Sequence, residues 1–203
     1  NAAHNPLTRC FAIDYAAWFR LILPGFERLG LVVPLGGTTV FFRRNALEAL
    51  GRWDAHNVTE DADLGLRLAR RGYHCGVLST VTDEEATATI PAWLRQRSRW
   101  IKGYAMTWAV HMRDPLQLFG ELGAWRFFGV QILFLGTLSQ FLLAPLLWSF
   151  WLILFGLPHP FAEVASHGAI VGLGVLVFLS EGGMLATAAA AVARPKLRWL
   201  SKW

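Results

Sequence analysis

Charge is scarce in this chain and, over long stretches, absent. Only 16% of its 203 residues are charged, against 54% hydrophobic. Residues 127–162 contain no Asp, Glu, Lys or Arg, and residues 169–193 contain only Glu181. That composition excludes an ordinary soluble domain, in which about a quarter of the residues are charged. Cysteine is equally sparse: Cys10 and Cys75 are the two present. Their wide separation gives neither a metal-ligand pattern nor a disulfide framework, so they read as free thiols. The histidines His4, His56, His74, His111, His159 and His167 share no ligand spacing, so no metal site is expected from them. No initiator methionine opens the chain, and it is expected to be part of a longer protein. No internal repeat occurs, and the one biased segment is the alanine run at 186–193.

What is present follows from the same distribution. Charged residues fill the first 126 positions and then stop. Each apolar stretch exceeds the roughly 20 residues that span a hydrocarbon core, and neither sits where a signal peptide would. Two transmembrane helices are expected, at 127–155 and 169–193, joined by an extracytoplasmic loop at 156–168. That loop carries no Lys or Arg, whereas Lys102, Arg113 and Arg126 precede the spans and Arg194, Lys196, Arg198 and Lys202 follow them. Positive residues stay on the cytoplasmic side, so both flanks, including 194–203, are read as cytoplasmic. The net charge of +5 fits anionic lipid headgroups better than nucleic acid, because the basic residues gather beside the apolar spans. Glu181 lies at bilayer depth, where a carboxylate costs about 2.5–3.5 kcal/mol on insertion scales, so it must face protein or water. It either lines a channel or hydrogen-bonds a neighbouring helix.

The first part alternates in pattern. Residues 11–29 mix aromatic and apolar positions and break at Pro24-Gly25, which suggests a helix and turn. Residues 38–43 and 73–81 read as strands, and Asn45 with Glu48 as the capping pattern of a short helix ending at Gly51. Residues 61–71 form an amphipathic helix with Gly72 after it; Pro91 opens a long second helix rich in tryptophan, and 113–126 makes an interfacial helix. The acidic triplet Thr59-Glu60-Asp61 starts the first of these helices, where the helix dipole favours negative charge, so simple N-terminal capping is one reading of it. The aromatic stripe Trp93, Trp100, Tyr104, Trp108 is equally a core or interface belt.

Thr59-Glu60-Asp61 together with Gln96-Arg97-Ser98-Arg99-Trp100, directly ahead of apolar spans, resembles the paired motifs of the membrane-embedded family 2 glycosyltransferases, the group of cellulose, hyaluronan and related β-glycan synthases. Residues 67–73, RLARRGY, resemble the segment that follows the first motif in that group. The resemblance implies an α/β fold: residues 1–112 as the C-terminal half of a GT-A, Rossmann-like domain, then transmembrane helices. It further implies an inverting transferase that moves a sugar from a nucleotide-sugar donor to a growing polysaccharide at the cytoplasmic face of the inner or plasma membrane. A single-addition enzyme acting on a lipid carrier and a catalytically silent scaffold of the same fold are the alternatives.

Inverting transfer needs a carboxylate to take the acceptor proton, a role the resemblance gives to Asp61, with Glu60 beside it orienting or tuning the site. Arg99 would hold the leaving diphosphate, Gln96 the donor, and Trp100 the apolar face of an acceptor sugar. Arg97, between the motif positions, reads as a solvated or lipid-facing charge. Gly37 and Thr38 occupy a small-residue turn close to the acceptor, although Gly36-Gly37-Thr38-Thr39 departs from the Cys-Gly-Ser type found in cellulose synthases. The divalent ion of the family, Mg²⁺ or Mn²⁺, would be held upstream of these residues. Asp61-Ala62-Asp63 has the DxD spacing but lies within a helix start, and no metal ligand is assigned here.

Overall fold

A computed structural model describes residues 5–193. The expected flank at 194–203, with Arg194, Lys196, Arg198 and Lys202, and His4 lie outside the described residues. The described residues divide into two compact units, one running to Leu138 and one from Ser139.

The first unit begins with α1 (Pro6–Ala17), opened by Asn5, whose side-chain oxygen accepts from the Thr8 backbone N–H at 2.9 Å while Thr8 Oγ1 accepts from the Asn5 N–H at 3.1 Å. This reciprocal cap satisfies two otherwise orphaned donors. The expected break at Pro24-Gly25 does not occur. A π turn (Trp18–Ile22) carries the helix into α2 (Leu23–Arg28), with the Leu23 N–H bonded to the Trp18 carbonyl. A proline ring inside a helix presses on the carbonyl four residues back, here that of Arg20, and a widened turn relieves the clash.

Next come α3 (Arg44–Ala49), α4 (Glu60–Arg70), α5 (Ile90–His111) and α6 (Pro115–Val130). Asn45 is not the cap of α3. The helix starts at Arg44, Asn45 Oδ1 accepts only from the adjacent Ala46 N–H, and Glu48 pairs with Arg44 at 2.9 Å. Helix α4 lies at the centre of the unit. Leu66, Ala62 and Ala69 pack on Val32, Leu118, Leu122 and Phe134, and Leu64 and Leu68 on Ala46. Gly65 lets the chain at Val33 pass closely, since a Cβ there would sit 2.7 Å from the Val33 carbonyl.

The regular structure among the described residues is helical and contains no strand, so the sheet of the expected α/β fold is not seen there. Residues 38–43 and 73–81 are extended or irregular, because a strand needs a ladder partner and these segments have none here. The Val77 N–H instead donates to Glu27 Oε2 at 3.0 Å, and Tyr73 N–H closes the end of α4 on Leu68.

Helix α6 breaks its backbone at Gly123 (φ 74°, ψ 165°) and passes through a second π turn (Gln131–Gly136) into α7 (Thr137–Leu142). The run Pro115–Leu142 is long and apolar enough to cross a membrane. It ends well before residue 155, because Pro145 restarts the chain as the short α8 (Ala144–Ser149), followed by α9 (Trp151–Leu154).

In the second unit, α10 (His167–Val192) is the other helix of spanning length. It packs on α9 and the residue before it, with Gly174 against the Phe150 ring and Trp151 edge-on to Phe178 at 5.3 Å. The Trp151 indole N–H donates to Glu181 Oε1 at 3.4 Å, an exposed contact between the two elements.

Candidate active site

The acidic triplet sits at the start of α4, and α4 is clamped there to α5. Gly103 of α5 faces Thr59 so closely that an added Cβ would lie 2.5 Å from the threonine side chain. Asn57 Nδ2 donates to Thr107 Oγ1 at 2.7 Å, and Asn57 Oδ1 accepts from the Thr59 N–H at 3.0 Å. Thr59 and Thr107 are buried. The Thr59 hydroxyl therefore faces α5 and makes no cap hydrogen bond to its own helix. Glu60, Asp61 and Asp63 stand in the first turn of α4, and Asp61 Oδ1 accepts from the neighbouring Ala62 N–H at 2.7 Å.

Asp61 is half-buried, and its Oδ2 faces Gly37, where a Cβ would come within 3.3 Å. Burial raises its pKa above the usual carboxylate value and the charge of Glu60 adds to the rise, while backbone N–H groups oppose it. Two tyrosines share this neighbourhood. Burial pushes the Tyr15 phenol up to about 12, with the carboxylates of Glu84, Asp14 and Asp61 adding and Arg97 opposing. Tyr104 is driven well above its usual value by burial and then by Asp61, again against Arg97. Both remain neutral hydroxyls beside Asp61.

The second motif lies along α5. Gln96 is half-buried and its Oε1 is buried without a hydrogen-bond partner, a costly state for an amide oxygen unless a donor arrives. The ring of Trp100 approaches Tyr15 at 6.4 Å between centroids. Arg99 is exposed, and no hydrogen bond or ion pair engages it among the described residues. The structure thus brings Asp61, Gly37 and, through Tyr15, Trp100 into one region; Thr38 is exposed and Glu60 half-buried without a bonded partner.

Arg97 departs from the solvated or lipid-facing reading. It pairs with Asp14 of α1 and lies over both Trp93 (5.7 Å) and Trp100 (4.8 Å), so one face of the Trp100 indole is covered by a guanidinium. Its neighbours Trp93 and Trp100, four and three residues away on one helix, are the signal that marks this in sequence. Asp14 and Tyr15 carried no such signal, since only the tertiary fold brings α1 against α5.

Asp63, two residues past Asp61, is buried and works differently. Its Oδ1 accepts from His111 Nε2 at 2.8 Å and its Oδ2 from Arg67 Nε at 2.7 Å. Arg70 Nη1, which can only donate, meets His111 Nδ1 at 2.9 Å, so the imidazole proton sits on Nε2. Arg70 also pairs with Glu121. Burial works to raise the Asp63 pKa, but the His111 hydrogen bond and the Arg67 charge outweigh it and hold the carboxyl below its ordinary value. This network ties α4, α5 and α6 together. Among the described residues no group of three or more His, Cys, Asp or Glu is placed to hold a metal ion.

The family profile described as Glycosyl transferase family group 2 matches residues 1–178. The chain is 33% identical over 104 residues to a probable glycosyltransferase, YdaM, of Bacillus subtilis, covering 51% of this chain and 25% of that protein. It is 37% identical over 76 residues to the beta-monoglucosyldiacylglycerol synthase of a Synechocystis species, covering 36% of this chain and 16% of the relative. To the UDP-forming cellulose synthase catalytic subunit of Komagataeibacter sucrofermentans it is 30% identical over 109 residues, covering 53% and 14%. The chain thus spans about a quarter or less of the length of these relatives. No solved structure matches.

Proposed function

We propose that this chain, which belongs to glycosyl transferase family group 2 and is a glycosyltransferase, supplies the acceptor-side half of an inverting GT-A active site at a membrane surface. In this reading Asp61 removes the proton from an acceptor hydroxyl as that oxygen attacks the anomeric carbon of a nucleotide sugar. The new glycosidic bond forms as the bond to the nucleoside diphosphate breaks, and the configuration inverts. The observation that carries it is the clamp of Thr59 on Gly103. It holds the start of α4, two residues before the half-buried Asp61 that no side chain engages, against the helix that bears Gln96, Arg99 and Trp100, and so supports this reading.

Each partner has a chemical reason for its place. A raised pKa moves Asp61 toward working pH, where a base is most effective. The unengaged Arg99 guanidinium is free to fork two oxygens of the leaving diphosphate. The buried Gln96 oxygen accepts from a hydroxyl of the sugar donor, and Gly37, with no Cβ, brings its backbone close to the Asp61 carboxylate. The runs Pro115–Leu142 and His167–Val192 cross the bilayer, with the catalytic part on the cytoplasmic side.

The acceptor is a growing polysaccharide in the first reading. A single addition to a lipid acceptor is the second, favoured by the likeness to a synthase named for glucosyldiacylglycerol. Transfer of labelled sugar by the full-length protein in membranes, with product length resolved, separates them. A long polymer lost in both Asp61→Asn and Arg99→Ala supports the first reading, and a single-sugar lipid product the second. Transfer unchanged by Asp61→Asn overturns the assigned base.

A further inference from the structure

On the face of α4 opposite Asp61 lies a cavity of about 540 Å³, bounded by the turn after α3, the end of α5 and the start of α6. Four arginines line it: Arg52, Arg67, Arg70 and Arg71. Three acids line it too, two of them tied to side-chain donors of the cavity wall and the third to one backbone N–H. Asp63 accepts from His111 and Arg67, Glu121 from Arg70 and Gln117, and Asp54 from the His56 N–H at 2.9 Å.

The donors are not used up in the same way. Arg67 gives Nε to Asp63 and Nη1 to the Leu50 carbonyl at 2.8 Å, and its Nη2 has no partner. Arg71 makes no ion pair among the described residues, and Arg52 reaches only Glu48, at 3.7 Å across exposed surface. Arg52 is moreover held at φ 67° directly after Gly51 at φ 74°, a left-handed conformation that a residue with a Cβ adopts at a cost and that turns the chain at the cavity rim. Trp53 follows, buttressed edge-on by Phe42 at 5.2 Å.

We propose that this cavity binds a phosphoanion, with Arg52 and Arg71 as its principal ligands and Trp53 as a wall. The surplus of guanidinium donors over free acceptors selects an anion, and the planar fork of arginine suits phosphate oxygens. Two sources share that chemistry. One is the headgroup of an anionic lipid, within reach because the cavity wall carrying Gln117 and Glu121 is the beginning of the apolar run Pro115–Leu142. The other is a soluble diphosphate. Because the site lies across α4 from Asp61, its occupant does not compete with the acceptor.

The test uses the full-length protein in phosphatidylcholine nanodiscs titrated with inorganic pyrophosphate by calorimetry, and repeated with phosphatidylglycerol in the disc. Arg52→Gln/Arg71→Gln removes the ligands while leaving the Asp63, His111, Arg67 and Arg70 network whole, so the fold is retained. The native protein is expected to show a binding event that this double variant weakens at least tenfold and that Arg99→Gln and Arg43→Gln leave intact. If the source is lipid, phosphatidylglycerol lowers the pyrophosphate affinity of the native protein and not of the variant; if it is soluble, phosphatidylglycerol has no effect. Titrations identical in native protein and double variant overturn the proposal. So does a loss of equal size in Arg43→Gln, which would mark general surface charge, or a binding event abolished only by Arg99→Gln.

Discussion

Asp61 and Asp63 stand two positions apart and titrate in opposite senses, because one meets burial with little compensation and the other meets burial with His111 and Arg67. A base must be ionised, so the transfer rate should fall as pH drops through the raised pKa of Asp61, earlier than for an ordinary aspartate; a pH–rate profile of the full-length protein checks this. The Asp61→Asn variant should lose about 10²–10⁴ in kcat. It should also melt higher than the native protein above that pKa, since a folded pKa raised by burial means that the ionised form costs stability, and the gap should close on acidification. Asp63 has the reverse sign. Its stabilisation is present above the unfolded pKa and is lost as pH falls through the lower folded one. Asp63→Asn should cost about 3–5 kcal/mol by leaving Arg67 and His111 short of a buried acceptor, read from thermal or denaturant unfolding. The candidate base was legible in sequence because a motif carried it. The role of Asp63 was not, because His111 lies on another helix and spacing along one helix cannot report a partner on a second.

At the scale of elements, α4 and α5 were legible from apolar periodicity, from Gly72 after the first and from Pro91 at the start of the second. Their junction was not, since Gly103 sits mid-helix where a glycine looks merely tolerated. The contact with Thr59 gives it a reason. Gly103→Ala should destabilise the protein by about 1–3 kcal/mol through overpacking and lower kcat more than it raises KM, because the carboxylate moves relative to Gln96 and Trp100. Steady-state kinetics beside a melting curve test this, and an alanine variant with native kinetics would remove the clamp from the argument. The two segments read as strands show the limit of local pattern. Val77 and its neighbours have strand-like side chains, but a strand exists only with a ladder beside it, and Val77 finds a glutamate instead.

Across the whole molecule, the split between a charged first part and an apolar remainder foretold two helices of spanning length, while their limits followed local backbone chemistry: Pro145 ends the first run early, and Gly123 kinks it near its start. In a variant lacking Cys10 and Cys75, a single cysteine at Ser166 should react with an impermeant thiol reagent in intact cells, and one at Arg95 only after the membrane is opened. The opposite pattern would invert the orientation. The π turn ahead of Pro24 has a consequence on this scale as well. It holds one residue more than the regular helix needs, and the proline is what makes that residue necessary. Deleting one position within Trp18–Ile22 should therefore be harmful, whereas the same deletion joined to Pro24→Ala should restore melting by letting the helix run regularly from Pro6 to Arg28. The two positions are epistatic: each constrains what can be lost at the other, and a lineage can shed them only together.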